Sequence, residues 1–419
     1  MKSTRGRAAA DRKVARERAQ RSAPVRPAKI VQHAAPEESA RSYETVALVL
    51  QGGGALGAYQ CGVYEALHGA GIQPGWFAGT SIGAINAAIL AGNAPEKRIE
   101  RLREFWNTVC EPAGAFGWQA SSLRDALAWL PKSSAWNAWM TGLSAFGAIA
   151  QGQRGFFSAR PFPPFGQAPG TDAATSYYDT APLRATLERL VDFDRINAGR
   201  VRLTVGATNV RNGNFRYFDS SIERIRPEHI MASGALPPAF PAIEIDGEHY
   251  WDGGLVSNTP LEVLLEAKPR RDTLVFQVDL WSARGIVPGT LLDVLERQKD
   301  IQYSSRTRLG TDMVAARQRL RNALGLLMEK IPKKKLPARL IADLEPWMCD
   351  RVFNIIHLIY RAKPYEEQFK DYAFGVGAMR EHWSVGFGDM TQSLAHPEFF
   401  VPPARELGVA THDIHRDDL

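Results

Sequence analysis

Two glycine-rich segments early in the chain contain residues suited to acyl transfer. A strand-like run, Thr45–Leu50, leads into Gln51-Gly-Gly-Gly-Ala-Leu-Gly57, whose backbone N–H groups carry almost no side-chain cover. About two dozen residues later, Gly79-Thr-Ser-Ile-Gly83 matches the G-x-S-x-G nucleophile elbow, a sharp strand-to-helix turn that exposes a serine hydroxyl. Acyl transfer requires such a hydroxyl together with amide donors for the oxyanion. The two segments predict a serine hydrolase with Ser81 as its nucleophile.

The first segment also matches a dinucleotide-binding fingerprint. Gly52–Gly57 satisfies G-x-G-x-x-G between a strand and a helix. That fold requires an acidic residue about 20 residues further on, at the end of the second strand, to bind the ribose. The second strand-like run, Gly75–Gly79, instead ends in Thr80 and Ser81, and the nearest acid, Glu65, falls inside the predicted helix. Because the acid is missing, a nucleotide cofactor is the weaker interpretation.

A serine nucleophile needs a proton acceptor, which is most often a histidine supported by a carboxylate. None of the nine histidines has a turn context that marks it as a general base, and His249 falls inside a strand. Asp252 differs, because it follows a strand directly and precedes Gly253 and Gly254, which leave its carboxylate uncovered. An aspartate with an ordinary pKa of about 3.9 is a weak base. Asp252 can still accept the proton if it contacts the hydroxyl directly; an ordinary Asp-Gly turn is the alternative.

Four segments in this order resemble the patatin-like phospholipases: Gly52–Gly57, Gly79–Gly83, Ser233–Pro241 and Asp252–Gly254. Members of that family are acyl hydrolases that use a Ser–Asp dyad on a three-layer α/β/α fold. The resemblance implies that no histidine, metal or other cofactor takes part and that the third segment shapes the wall beside the dyad. It assigns these roles: nucleophile Ser81, base Asp252, oxyanion loop Gly52, Gly53 and Gly54, and supporting glycines Gly57, Gly79, Gly83, Gly253 and Gly254.

The predicted elements that position these residues alternate as strand, glycine turn, helix, strand, serine turn and helix, which is typical of a parallel α/β sheet. Further strands are expected at Val201–Thr208, Phe215–Phe218, Ala242–Ile245, His249–Trp251 and Thr273–Val278. Helices are expected at Gly57–Ala70, Ala84–Ala91, Ile99–Val109, Glu228–Gly234 and from Thr259-Pro260 to Ala267. With the resemblance, the expected fold is a three-layer α/β/α sandwich with a mainly parallel central sheet.

Three regions are predicted along the chain. Residues 1–44 form a disordered basic tail, residues 45–285 the catalytic domain, and residues 286–419 a mainly helical C-terminal extension like that of one bacterial branch of the family. In the extension we expect a long helical stretch, Leu291–Leu327, broken at Gly310, then a helix at Leu336–Leu344, a strand at Val352–Tyr360 and helices to about Leu394.

An aromatic-rich, charge-poor insertion is predicted at residues 113–169 within the catalytic domain. Leu123, Leu127, Trp129 and Leu130 suit an amphipathic helix that could act as a lid or lie at a lipid interface. Packing of the same residues in the core is the alternative.

Charge is concentrated at the N-terminus. The whole chain carries a net +6, whereas residues 1–30 alone carry ten Lys or Arg against Asp11 and Glu17. Such an arm can bind anionic lipid or nucleic acid, or it can be a solubilising extension without a partner. Its two acids argue against an organelle transit peptide. We expect peripheral contact with anionic membrane and no specific nucleic acid.

Composition indicates an intracellular globular protein. Hydrophobic residues make up 45% and charged residues 23% of the 419 residues, and no apolar run is long enough for a spanning helix or a secretory signal. The three cysteines, Cys61, Cys110 and Cys349, are too widely spaced to suggest a disulfide framework or a zinc site. The expected location is the cytoplasm, with peripheral association at the inner face of a membrane.

The predicted function is therefore a serine acyl hydrolase of the lipase or phospholipase A type, which cleaves carboxylic esters of lipids through an acyl-enzyme intermediate. Glycerophospholipid is the substrate that the resemblance favours. Hydrolysis of neutral lipid, short-chain ester or intracellular polyester is the alternative within the enzymes. A non-catalytic lipid-binding scaffold is the alternative outside them, although the presence of both Ser81 and Asp252 argues against it.

Overall fold

A nine-stranded, mainly parallel sheet lies at the centre of the chain as far as the structure describes it. The computed structural model describes residues 34–111, 151–332, 336–361 and 370–415. The strands are β1 Thr45–Leu50, β2 Trp76–Gly79, β3 Gly152–Gln153, β4 Phe157–Ala159, β5 Tyr178–Asp179, β6 Arg202–Asn209, β7 Phe215–Asp219, β8 Ile243–Ile245, β9 Glu248–Asp252, β10 Thr273–Asp279, β11 Phe353–Ile359 and β12 Val409–His412.

Helices alternate with these strands. They are α1 Pro36–Ala40, α2 Ala58–Gly69, α3 Ile82–Ala91, α4 Pro95–Cys110, α5 Asp172–Thr175, α6 Ala181–Leu190, α7 Phe193–Asn197, α8 Pro227–Ser233, α9 Leu261–Glu266, α10 Leu291–Lys330, α11 Ala338–Leu344 and α12 Val376–Leu394. Short 3₁₀ turns occur at Gly54–Gly57, Pro164–Gly166, Gly253–Leu255, Glu345–Trp347, Lys370–Tyr372 and Pro397–Phe400.

The strand order brings the predicted motifs to one edge of the sheet. It reads β12-β11-β10-β1-β2-β6-β9-β8, with β7 also paired to β6, and the strands from β12 to β6 run parallel. Leu50 pairs with Gly79, so β1 and β2 end side by side. β6 runs past the end of β2, and there Ala207 pairs with Asp252 at the end of antiparallel β9. The loop after β1, the turn after β2 and the end of β9 therefore meet.

Helices cover both faces of the sheet, as a three-layer fold requires. Successive residues of a strand point to opposite faces, and β1 follows that rule. Leu48 and Leu50 belong to the larger buried cluster, with side chains of α2, α3, α4 and α12. Ala47 and Val49 belong to a smaller cluster with Leu261, Leu264 and Leu265 of α9. The predicted α/β/α sandwich is confirmed.

The segment just before β1 is ordered, which corrects the C-terminal limit of the predicted tail. Residues Pro36–Ala40 form α1, and Tyr43 is buried. The Tyr43 hydroxyl donates to the carbonyl oxygen of Phe400 at 3.1 Å and accepts from Asn354 Nδ2 at 2.8 Å. Local composition suggested disorder. The contacts that order this segment join residues more than 300 positions apart and leave no local pattern. Residues 1–33, which carry the basic charge, lie outside the described residues.

The C-terminal segment is mainly helical, as predicted, yet it also extends the central sheet. β11 pairs with β10 and β12 with β11, both in parallel. α10 is continuous from Leu291 to Lys330, so the predicted break at Gly310 is wrong. A single glycine weakens a helix interior by about 1 kcal/mol, which one long helix can absorb. The described residues from 35 onward form one compact unit, and residue 286 is not a boundary between compact units.

Only the end of the aromatic insertion belongs to the described residues. The predicted amphipathic segment with Leu123, Leu127, Trp129 and Leu130 lies in 112–150, outside them. From residue 151 onward, β3, β4 and β5 form a small antiparallel sheet. Phe156 and Phe157 are buried there in the main cluster. Among the described helices, none has the length and apolar character needed to cross a bilayer.

Candidate active site

Ser81 occupies a strained turn between β2 and α3. Its backbone has φ 56° and ψ −126°, a left-handed conformation that residues with side chains rarely adopt. The flanking glycines are required, because a Cβ on Gly79 would lie 2.2 Å from the Gly83 carbonyl and one on Gly83 would lie 2.3 Å from the Leu50 carbonyl. The Ser81 N–H donates to the carbonyl and the hydroxyl of Ser233, each at 3.1 Å. The turn is therefore fixed by packing and by α8.

Asp252 is buried at the end of β9, beside Ser81. Its Oδ1 accepts a 2.7 Å hydrogen bond from the Gly254 N–H, and the Ser81 hydroxyl lies near enough to act on the pKa of the same carboxylate. Burial raises the pKa of Asp252 from its ordinary 3.8 to about 7, although the Gly254 hydrogen bond and the nearby Ser81 hydroxyl oppose the rise. In the described part of the chain no Lys or Arg forms an ion pair with this carboxylate. An aspartate with a pKa near neutrality is a far better proton acceptor than an ordinary one.

The three glycines after Gln51 have unequal hydrogen bonding. Gly52 donates its N–H to the Asn258 carbonyl at 3.2 Å. Its own carbonyl accepts from Asn258 Nδ2 at 3.0 Å and from Trp281 Nε1 at 2.8 Å. Within the described ranges, the N–H groups of Gly53 and Gly54 have no acceptor. Of the three predicted oxyanion donors, Gly52 is therefore engaged in holding the loop, while Gly53 and Gly54 are available.

Three residues that hold this loop were not predicted from the sequence. Gln51 Oε1 accepts from the N–H groups of Leu280 at 2.5 Å and Trp281 at 3.1 Å, so the loop is tied to the end of β10. Asn258 and Trp281 add the bonds to Gly52. Gln51 directly follows β1 and precedes Gly52, which was an available signal, whereas Asn258 lies beyond the turn that follows β9. Trp281 carried no comparable signal.

A largely aromatic pocket opens in front of Ser81 and Asp252. It encloses about 830 Å³, including its mouth. The third predicted segment contributes Leu236, Ala239 and Phe240 to the wall. Ile82 of the elbow also lines it, and the lining side chains outside these motifs are Phe156, Phe157, Tyr178, Asn258, Trp281, Tyr303, Asp371, Tyr372 and Phe374. Pockets of this character bind apolar ligands.

Part of that wall comes from the C-terminal segment, to which the sequence assigned no chemistry. Asp371 is partly buried, with 14% of its side chain exposed, and both of its carboxylate oxygens lie 2.9 Å from Lys299 Nζ on α10. Burial raises the pKa of Asp371, and the charge of Lys299 opposes the rise. Phe374 packs against Phe156 with ring centroids 5.9 Å apart. No local pattern marked these residues, because their partners are distant in sequence.

The described histidines do not line the pocket. His357, on β11, instead binds Asp279 through Nε2 at 2.6 Å. Burial lowers the pKa of His357, but the Asp279 carboxylate outweighs it and the net change is upward. Across the described ranges, no three His, Cys, Asp or Glu side chains are placed to share a metal ion.

Two family models match the chain. One, described as Patatin-like phospholipase, matches residues 48–265, and the other, described as Patatin phospholipase, matches residues 301–406. The first match contains Ser81, Asp252 and the glycine loop. The second contains Tyr303, Asp371 and Phe374. No curated protein matches the chain.

Solved structures with similarity to the chain are distant. VipD from Legionella pneumophila is 16% identical, with 84% of this chain and 67% of that one covered and a TM-score of 0.35. The type III effector ExoU is 16% identical, with 84% and 53% covered and a TM-score of 0.29. ExoU in complex with SpcU, from Pseudomonas aeruginosa, is 19% identical, with 63% and 50% covered and a TM-score of 0.22. The chain spans about half the length of the ExoU chains.

Proposed function

Because the chain belongs to the patatin-like phospholipase family, we propose that it hydrolyses carboxylic esters of lipids with Ser81 as nucleophile and Asp252 as general base. The observation that carries this proposal is the close approach, in one pocket, of the Ser81 hydroxyl to a buried Asp252 carboxylate whose pKa is about 7. Gly53 and Gly54 stand beside these two side chains with available N–H groups. The three features together supply a nucleophile, a proton acceptor and oxyanion donors.

In the first half of the reaction, Ser81 Oγ attacks the acyl carbonyl carbon and its proton passes to Asp252. The N–H groups of Gly53 and Gly54 donate to the oxyanion of the tetrahedral intermediate. When the intermediate collapses, the ester C–O bond breaks and the leaving alkoxide takes the proton from Asp252. The acyl group then remains on Ser81 as an ester.

In the second half, water replaces the alcohol. Asp252 takes a proton from water, the resulting hydroxide attacks the acyl-enzyme carbonyl, and the same two N–H groups receive the oxyanion. Collapse of this intermediate releases the fatty acid, and Ser81 Oγ regains its proton from Asp252. No group other than these residues and water is needed for the proton balance.

Glycerophospholipid is the substrate class that the family favours. The aromatic lining of the pocket suits an acyl chain, because burial of each methylene contributes about 0.8 kcal/mol. The lining contains few charged side chains, among them Asp252 and Asp371. We therefore place the acyl chain in the pocket and the phosphate headgroup outside its mouth.

The test is the release of fatty acid and lysophospholipid from mixed phospholipid vesicles, measured by mass spectrometry. Wild type should release both products in equal amounts, and Ser81→Ala should release neither while keeping its melting temperature. Ser282→Ala, a nearby serine outside the pocket lining, is the matched control and should behave as wild type. Release by Ser81→Ala at the wild-type rate would contradict the mechanism. If fatty acid is released from triacylglycerol or short-chain esters but not from phospholipid, the substrate is one of those esters and not a glycerophospholipid.

A further inference from the structure

The 3₁₀ turn Lys370–Tyr372 packs directly on the glycine loop. A Cβ added to Gly54 would lie 2.2 Å from the carbonyl oxygen of Asp371, so only glycine fits beneath this turn. Gly54 also has φ +55°, a conformation that a side chain would oppose. The turn therefore fixes the position of one of the two residues with an available N–H group.

The turn is anchored to α10 through its carboxylate. Lys299 Nζ lies 2.9 Å from both oxygens of Asp371. The same ammonium lies 4.8 Å from the centroid of the Tyr372 ring, which lines the pocket. One lysine on α10 thus contacts two consecutive residues of the turn.

A second anchor fixes the preceding residue. Lys370 is 3% exposed, and its Nζ lies 3.0 Å from Glu296 Oε1 and 2.7 Å from Asp300 Oδ1 on α10. It also lies 5.3 Å from the ring centroid of Trp281, whose indole N–H donates to the Gly52 carbonyl. The glycine loop is thus held at Gly52 through Trp281 and at Gly54 through Asp371.

Oxyanion donors act only when their N–H groups stay about 2.7–3.1 Å from the developing charge. A run of three glycines has no side chains of its own to hold that geometry, and glycine has the greatest backbone freedom. An external contact must therefore restrict it. The turn Lys370–Tyr372, which ion pairs anchor to α10, supplies that contact.

We propose that Lys299 and Asp371 are positioning residues for the oxyanion loop: their ion pair seats the turn Lys370–Tyr372 on Gly54 and thereby aligns the Gly53 and Gly54 amides. This inference rests on the proposed function, because it assigns a role within the same reaction. It makes the C-terminal segment a part of the active site. Neither residue touches the reacting atoms.

The test compares two soluble substrates, p-nitrophenyl butyrate and its thionoester, in which sulfur replaces the carbonyl oxygen. Sulfur is a weaker hydrogen-bond acceptor, so the thionoester gains less from the two amides. In Lys299→Met, kcat for the oxygen ester should fall on the order of 10- to 100-fold with little change in KM, as expected for misplaced donors. The thionoester rate should change much less, so the ratio of the two rates should shrink. Lys299→Arg, which keeps the charge, should restore the ratio.

Two further variants separate positioning from stability. Arg405→Met removes another bidentate ion pair of the C-terminal segment, with Asp272 before β10, and should leave the ratio unchanged. Asp371→Asn keeps the side-chain shape and provides the same measurement if Lys299→Met does not fold. If Lys299→Met or Asp371→Asn loses the same factor in rate with both esters, or loses none with either, this inference is overturned while the proposed function stands. A wild type without Ser81-dependent hydrolysis would overturn the proposed function and this inference together.

Discussion

The Asp252–Gly254 turn and the Lys370–Tyr372 turn each bring an aspartate to the same pocket, but the surroundings of the two carboxylates differ. Asp252 accepts a hydrogen bond from an amide and lies near the Ser81 hydroxyl, and among the described residues no cation pairs with it. Asp371 has Lys299 at 2.9 Å from both of its oxygens. Burial raises the pKa of both aspartates, and only Asp371 has a cation that opposes the rise.

The contrast indicates what each aspartate can do. A buried carboxylate without a cation gains and loses its proton near neutral pH, which a general base requires. A buried carboxylate held by an ammonium is a fixed anchor, because releasing or protonating it breaks the pair. Neighbouring aspartates in one pocket can therefore have separate roles, and the predictions below test that separation.

The largest expected effect distinguishes the two aspartates by activity. Asp252→Asn should lower kcat/KM for a soluble ester by about 10³-fold or more, because the base of a nucleophilic pair is lost. Asp371→Asn should lower it on the order of 10- to 100-fold, because only alignment is lost. Steady-state kinetics with p-nitrophenyl butyrate measures both. Similar losses in the two variants would remove the distinction between base and anchor.

The next effect concerns stability. The pKa of Asp252 is about 7 in the folded chain and 3.8 ordinarily, so the folded state holds a proton that the unfolded state has released between these pH values. Stability from this group is therefore lost as pH rises from about 4 to 7, by roughly 4 kcal/mol. Asp252→Asn should be more stable than wild type at pH 8, and the gain should vanish near pH 4. Chemical denaturation at both pH values measures it.

A second buried aspartate provides the control for that measurement. Burial raises the pKa of Asp219, but its bonds to Arg202, Ser221 and Thr204 outweigh burial and the net pKa is lowered. Its stabilising contribution is therefore present at pH 8 and lost in acid. Asp219→Asn should be less stable than wild type at pH 8. If Asp252→Asn, like Asp219→Asn, is less stable than wild type at pH 8, then the ionised Asp252 carboxylate does not destabilise the folded state.

The pH dependence of wild type follows from the same carboxylate. Asp252 must be ionised to accept a proton, so kcat/KM should rise about tenfold per pH unit below pH 7 and level off above it. Between pH 5 and pH 8 the rise should be about 100-fold. Initial rates with a soluble ester at constant ionic strength measure it. If kcat/KM instead levels off above about pH 4, Asp252 has an ordinary pKa.

Local sequence was sufficient to predict the part of the site that contains Asp252. It was not sufficient to predict the part that contains Asp371. The elbow at Gly79–Gly83 and the turn at Asp252–Gly254 each have their characteristic residues within five consecutive positions, so their patterns are readable although distant contacts complete them. The strands that carry them were predicted to within one or two residues. The assigned roles of Ser81 and Asp252 remain predictions that the variants above test.

The remaining half depends on contacts between distant positions. The Lys370–Tyr372 turn meets Gly54 and Lys299, and no short pattern records those pairings. The same reason explains why Tyr43 was assigned to the tail and why strand Val409–His412 was not predicted. The engagement of the Gly52 N–H by Asn258 also appears only when residues 206 positions apart meet.

The smallest expected effect concerns the wall that the C-terminal segment adds. Phe374 packs among Phe156 and Trp106, so shortening it should lengthen the space for an acyl chain. Phe374→Leu should shift the preferred p-nitrophenyl ester by one or two carbons toward longer chains, because each added methylene contributes about 0.8 kcal/mol, or about fourfold in kcat/KM. Phe165→Leu, at a side chain 88% exposed, is the control and should keep the wild-type preference. The same preference in all three proteins would place the acyl chain elsewhere and confine the C-terminal segment to the alignment of the glycine loop.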